Sequence, residues 1–250
     1  MPGDQRPPQA PRLSDPAVPR ALLEGDMEVL GIMPNASNYT FLARCTLGQD
    51  EVLTIYKPKR GEIPLWDFPS GTLHRREVAA YEVATVLGWP NVPPTVLRDG
   101  PEGRGSAQLF VPMDPEQHFF TLGEAYPDEF RRVALFDLVV NNADRKAGHC
   151  LIGEDGRIWV IDHGVCFSDE PKLRTVIWDF IGEPLPAGGV TDLERLAADL
   201  ATAGPARQTL ERLLAPAEIE ATAERLAAVL DGGVFPEPEP GTRPYPWPPI

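Results

Sequence analysis

The sequence is short of cysteine, of basic residues and of long apolar runs, and each shortage removes a class of function. Its three cysteines, Cys45, Cys150 and Cys166, are an odd and widely spaced set. They do not form a disulfide framework, which places the chain in a reducing cytoplasm with Cys150 and Cys166 as packing thiols. Lys and Arg together number 23 against 37 Asp and Glu, for a net charge of −14. That excess argues against a nucleic-acid partner and against unaided docking on an anionic membrane. No apolar run approaches the length of a membrane span, and no signal-like apolar stretch follows the first residues, so integral membrane association is not expected.

With 250 residues and 42% hydrophobic content, the chain can bury the core of one bilobal domain or of two small ones. Residues 1–19, rich in Pro, Arg, Gln and Asp without an apolar period, are expected to be a disordered tail. Residues 232–250 carry a proline at nearly every second position and read as an extended, disordered tail, a route to a protein partner. One helical turn is expected at 21–25. Strands are expected at 28–33, 39–44, 52–56, 92–97 and 107–111. A helix is expected over 74–87, where Ala80, Val83, Ala84 and Leu87 share one face and Gly88 suits the C-terminal cap. Further helices are expected at 128–140, 192–203, 206–214 and 216–230. The fold class is therefore α+β, with an N-terminal lobe of antiparallel sheet plus helix over 20–113 and a mainly helical lobe over 114–231. On the helix at 128–140, Asp137 lies near the apolar face, where a carboxylate requires a partner.

The chemistry concentrates in residues 135–167. A polar loop with Asp144, Arg145 and His149 leads into a hairpin, 150–152 and 158–161, with a turn at Glu154-Asp155-Gly156. The return strand delivers Asp162, and Gly164 is expected to let the backbone turn sharply. One hairpin thus brings two carboxylates together, as phosphoryl transfer requires: one to position the attacking hydroxyl, one to hold a metal on nucleotide phosphates. Upstream, Lys57 ends the third strand and Glu77 stands in the first turn of the next helix, where a carboxylate suits the dipole. The loop at 34–38 has small residues, including Ser37, able to bring N–H groups and a hydroxyl to phosphate oxygens, although it lacks the glycines of the protein-kinase loop.

Ile55-Tyr56-Lys57-Pro58-Lys59, Arg76-Glu77-Val78-Ala79-Ala80-Tyr81, Gln108-Leu109-Phe110-Val111, Asn142-Ala143-Asp144-Arg145 and Val160-Ile161-Asp162-His163-Gly164 occur in the same order as in phosphatidylinositol 3-/4-kinase-like proteins. The pattern most resembles type II phosphatidylinositol 4-kinases and actinobacterial phosphatidylinositol-kinase-related proteins, with a looser likeness to HipA-like kinases. It spans roughly residues 29–186. The resemblance implies a two-lobed kinase fold binding ATP and Mg²⁺ or Mn²⁺, and transfer of the γ-phosphate to a hydroxyl-bearing acceptor. It implies that Lys57, paired with Glu77, contacts the phosphates, that Ser37 and Asn38 cover them, and that the backbone near Val111 and Met113 meets the adenine edge. Asp144 would orient or deprotonate the acceptor hydroxyl, and Asp162 would hold the metal.

Two departures shape the reading. Where these families place an asparagine five residues after the catalytic aspartate, this chain has His149, and a neutral imidazole favours manganese over magnesium. Type II lipid kinases also carry a cysteine-rich segment that is missing here, so a small molecule or a protein Ser/Thr stands beside an inositol lipid as acceptor. The alternative is a nucleotide-binding pseudokinase acting as a regulatory module. A metal hydrolase built on Asp144, His149, Asp162 and His163 would leave Lys57 without a purpose.

Overall fold

Residues 50–58 alternate as a half-buried strand must: Val52, Thr54, Tyr56 and Pro58 turn inward and the residues between them face outward. The computed structural model describes residues 17–34 and 38–250, in two compact units: 17–63 with 94–110, and 64–93 with 111–250. Most of the amino-terminal stretch expected to be disordered, and Ser37, lie outside the described residues.

The first unit is an antiparallel sheet of β1 (Asp26–Ile32), β2 (Phe41–Leu47), β3 (Asp50–Pro58), β4 (Thr95–Gly100) and β5 (Gly103–Leu109), in the order β1-β2-β3-β5-β4. A register shift between Val29 and Gly31 bulges the edge strand. The last two strands begin later and earlier, respectively, than the residue pattern implied. Pro93 and Pro94 have no N–H to give a ladder, which delays β4. Gly105 allows β5 to start early: a Cβ there would stand 2.4 Å from the Lys57 carbonyl oxygen. One sheet face is covered by α1 (Ala17–Glu24), whose Val18, Ala21 and Leu22 are buried with Cys45, Val52 and Leu109. The sequence pattern had reduced α1 to a single turn because eight residues carry too little periodicity to stand out. Inside the sheet, Thr54 Oγ1 donates to the Gln108 carbonyl (2.8 Å) and Gln108 Nε2 to Thr95 Oγ1 (2.9 Å), so the buried polar groups of three strands satisfy one another.

The second unit holds α2 (Leu73–Leu87), α3 (Phe119–Leu122), α4 (Pro127–Val140), α5 (Ala187–Ala201), α6 (Pro205–Leu210) and α7 (Pro216–Gly232), with the hairpin β6 (Cys150–Ile152) and β7 (Ile158–Val160). On α5, Leu193, Leu196 and Leu200 form a buried stripe at helical spacing, and the helix packs on α7, as α4 does. Gly88 caps α2 in the left-handed conformation, as its position predicts. Among the described residues no helix is long and apolar enough to cross a membrane. The cysteines are free and buried, and burial pushes the Cys150 thiol up to about 12, far from a reactive thiolate.

Residues 64–93, placed with the N-terminal sheet from the sequence, group with the second unit. The reason is visible on α2, which is buried well beyond one apolar stripe. Arg76 is nearly inaccessible and pairs with Glu218 of α7, while its Nη1 donates to the Cys166 carbonyl (2.5 Å) and its guanidinium lies over the Phe68 ring. The carboxy-terminal residues form no extended helix or strand, yet Phe235 is buried and its backbone exchanges hydrogen bonds with Glu183 (3.0 Å) and Gly182 (2.9 Å). Glu218→Ala strands the Arg76 charge and should cost about 3–5 kcal/mol, read as a fall in urea midpoint. The double variant Arg76→Met/Glu218→Leu should recover most of that loss.

Candidate functional site

The site begins where α4 stops. Asn141 caps the helix with a left-handed backbone, and the Asn142 side-chain carbonyl accepts the Asp144 N–H (3.0 Å), forming a tight turn into the loop. The next residue, Arg145, is fully buried. A guanidinium away from water needs an acceptor for each of its donors. Its Nε and Nη2 grip the Asp137 carboxylate of α4 (2.9 and 3.0 Å), Nη1 reaches the Ile161 carbonyl (2.9 Å), and Nη2 meets His163 Nε2 (2.7 Å). Burial works against the Arg145 charge, but Asp137 beside it prevails and raises its pKa. The partner that Asp137 requires is thus Arg145, eight residues on. The signal was present in the sequence, though spacing alone gave no means of choosing the cation.

On the far side of the hairpin the sharp turn falls on Asp162 itself (φ 62), not on Gly164. A non-glycine residue in this conformation stores about 1 kcal/mol or more of backbone strain. Gly164 has another setting: a Cβ there would be in ordinary contact, 3.5 Å from Glu77 Oε1. Glu77, buried on α2, accepts the His163 backbone N–H (3.0 Å) and so fastens the turn. His163 is also buried, edge-on to Phe136 with ring centroids 5.6 Å apart.

The loop and the turn meet at their side chains. His149 Nε2 lies 3.3 Å from Asp162 Oδ2, and its Nδ1 faces the Lys146 N–H at 3.4 Å. With Nδ1 accepting, the hydrogen is assigned to Nε2, which points it at Asp162. Asp144 is raised from 3.8 to about 6. Burial is the main cause; the Lys146 ammonium, 3.4 Å from Asp144 Oδ2, pulls the other way, and the Asp162 charge adds to the rise. Nothing in the sequence singles out Lys146, because a lysine in a polar loop has no distinguishing pattern.

The structure therefore brings Glu77, Asp144, His149 and Asp162 into the second unit as one constellation. Lys57 lies on β3 of the first unit, opposite Ser106 of β5. Asn38, also in the first unit, uses its side-chain carbonyl to accept the Ile63 N–H (2.7 Å). Val111 is buried and Met113 exposed, both beyond the end of β5.

No group of three or more His, Cys, Asp or Glu among the described residues is arranged to hold a metal ion. A structural or hydrolytic metal centre needs such a set, and His163 Nε2 is already engaged by Arg145. A metal carried on nucleotide phosphates needs less: one or two carboxylates, the phosphates and water complete its shell. The half-exposed Asp162, beside an Asp144 whose ionisation it disfavours, fits that second kind.

Because Asp144 is raised in the folded state, its neutral form is favoured by folding. The stability it contributes is complete below about pH 4 and is lost as pH climbs through about 6. Asp144→Asn should therefore be the more stable protein at pH 7, and the gap should close as pH falls from about 6 to about 4 in urea titrations.

No family model matches the chain. It is 42% identical over 262 residues to Protein Rv2133c of Mycobacterium tuberculosis (strain ATCC 25618 / H37Rv), covering 91% of this chain and 93% of that one. It is 35% identical over 124 residues to phosphatidylinositol 4-kinase gamma 4 of Oryza sativa subsp. japonica, covering 41% of this chain and 22% of the rice protein. In structure it resembles the Golgi casein kinase with Mn/ADP bound, at a TM-score of 0.57 and 13% identity, covering 86% of this chain and 74% of that one. It also resembles the Helicobacter pylori proinflammatory kinase CtkA, at 0.54 and 12% identity, covering 86% and 94%. These two likenesses are of fold, which is protein-kinase-like. By its identity along nearly the whole of both sequences, the chain belongs to the family of Protein Rv2133c.

Proposed function

We propose that this protein is an ATP-dependent phosphotransferase that moves the γ-phosphate to a hydroxyl acceptor. The observation that carries the reading is the pairing of Asp144 and Asp162 at the two ends of one hairpin, in a chain whose fold is kinase-like. Asp144 accepts the proton of the acceptor hydroxyl. A carboxyl raised to about 6 lies close to the operating pH, where a general base works best. Lys146 keeps that carboxylate partly ionised and steadies its orientation. Asp162 would hold Mg²⁺ or Mn²⁺, and His149, its neighbour at 3.3 Å, is the second candidate ligand. A cation held there would supply neutralisation of the charge that develops in phosphoryl transfer. Lys57, by the resemblance of its strand end to the kinase lysine, is the cation for the nucleotide phosphates, and Glu77 braces the metal turn.

The fold neighbour with Mn/ADP bound supports the choice of nucleotide and metal. The rice relative is named for an inositol lipid and the Golgi neighbour for casein, so acceptor assays should offer lipid, protein and small-molecule hydroxyls together. A second reading, a nucleotide-binding pseudokinase, is favoured by one contact: the His149 N–H directed at the metal carboxylate.

Variants separate the two. ATP with Mn²⁺ should raise the melting temperature by an amount matching about 2–3 kcal/mol at a hundredfold excess over Kd, with metal alone giving less. Asp162→Asn should lose the metal-dependent part of that shift. Asp144→Asn should keep the shift while transfer of γ-label falls about 10²–10⁴-fold. Binding without transfer in the wild-type chain would establish the pseudokinase instead.

A further inference from the structure

Residues 244–249 contain no helix or strand, yet they are tied to the loop that carries Asp144. The Ala147 N–H donates to the Pro249 carbonyl (2.8 Å). The Pro244 carbonyl accepts both the Thr175 N–H (3.0 Å) and the Trp178 indole Nε1–H (3.2 Å). Segment 174–176 is in turn paired with the candidate catalytic loop: the Arg145 N–H donates to Arg174 (2.9 Å) and the Val176 N–H to Arg145 (3.1 Å). Pro246 is buried within this run, and Ile250 Cγ2 lies 3.9 Å from where a Cβ on Gly148 would stand.

The complementarity is chemical. The four prolines of the run, Pro244, Pro246, Pro248 and Pro249, offer carbonyl acceptors and no N–H of their own, on a backbone whose fixed φ lowers the entropy lost on docking. The loop offers the reverse, since Ala147 and Thr175 are both buried. Without the run, both amide hydrogens would lose their protein acceptors. Asp144 and His149 lie on either side of Ala147, so any shift of that amide moves both groups.

We propose that residues 244–249 are a positioning strap for the candidate active site, holding the 144–149 loop and the 174–178 segment in one geometry. Its effect on turnover rests on the phosphotransfer reading; its effect on the loop does not.

Hydrogen exchange on the wild-type chain tests the strap directly. The Ala147 and Thr175 amides should exchange at least about tenfold more slowly than unprotected amides. In the full-length variant Pro246→Asp, a carboxylate in the buried slot expels the strap. Both amides should then speed up at least about tenfold, while amides of 133–139 in α4 do not change. The nucleotide-driven melting shift should persist and turnover should fall at least about tenfold, because groups misplaced by an ångström bind nearly as well but react poorly. Trp178→Phe, a milder change that deletes one donor to Pro244, should accelerate Ala147 along with Thr175. Unprotected exchange at the two amides in the wild-type chain would overturn the proposal. So would full turnover in Pro246→Asp with the strap released. A wild-type chain that never transfers phosphate would sink the phosphotransfer reading instead, and the exchange rates alone would then uphold or reject the strap.

Discussion

The candidate site depends on one buried cation. Arg145 has no access to water, and the only way to keep its charge inside is to surround it with acceptors. Those acceptors come from four places: Asp137 on α4, the His149 carbonyl at the end of the loop, the Ile161 carbonyl at the end of the return strand, and the His163 ring beyond the turn. Satisfying one side chain therefore fixes the relation of a helix end, a loop and a turn. Asp144 precedes Arg145 and Asp162 precedes His163, so the two carboxylates are located by their neighbours. Such a pair adds little net stability over a well-packed apolar alternative; its use here is to select one arrangement.

Around that cation the second unit adds braces that act on backbone. Glu77 takes the His163 N–H, Asn142 takes the Asp144 N–H, and the Arg145 backbone pairs with residues 174 and 176. The side chains that would do chemistry are left less constrained. Asp162 is half exposed, and Asp144 is held in tension between burial, Lys146 and Asp162. A rigid frame with two ionisable groups of unequal environment suits proton acceptance by one and cation binding by the other.

Much of the fold was legible in the sequence because the signals are local. The run from Val52 to Tyr56 marked β3, helical spacing marked α2 and α5, and a turn between a short apolar run and a β-branched, aromatic one marked the hairpin. The errors have physical causes. A short α1 has too few residues to show a period. The turn was assigned to Gly164 because glycine is the usual left-handed residue, whereas the strain sits on Asp162. The carboxy-terminal run was read as free because proline composition reports what a segment cannot donate, and says nothing of what it can accept.

Residue order alone determined that two aspartates would be carried to the ends of one hairpin, and that Asp137, set among apolar neighbours, would require a counter-charge. Local spacing suffices for both, since hairpin closure and helical phase are short-range properties. Only the tertiary structure decided that Arg145 is that counter-charge, that Arg76 closes on Glu218 142 residues away, and that burial pushes Asp144 up to about 6. These depend on which groups are removed from water together, and burial is a property of the packed chain that no stretch of sequence carries by itself.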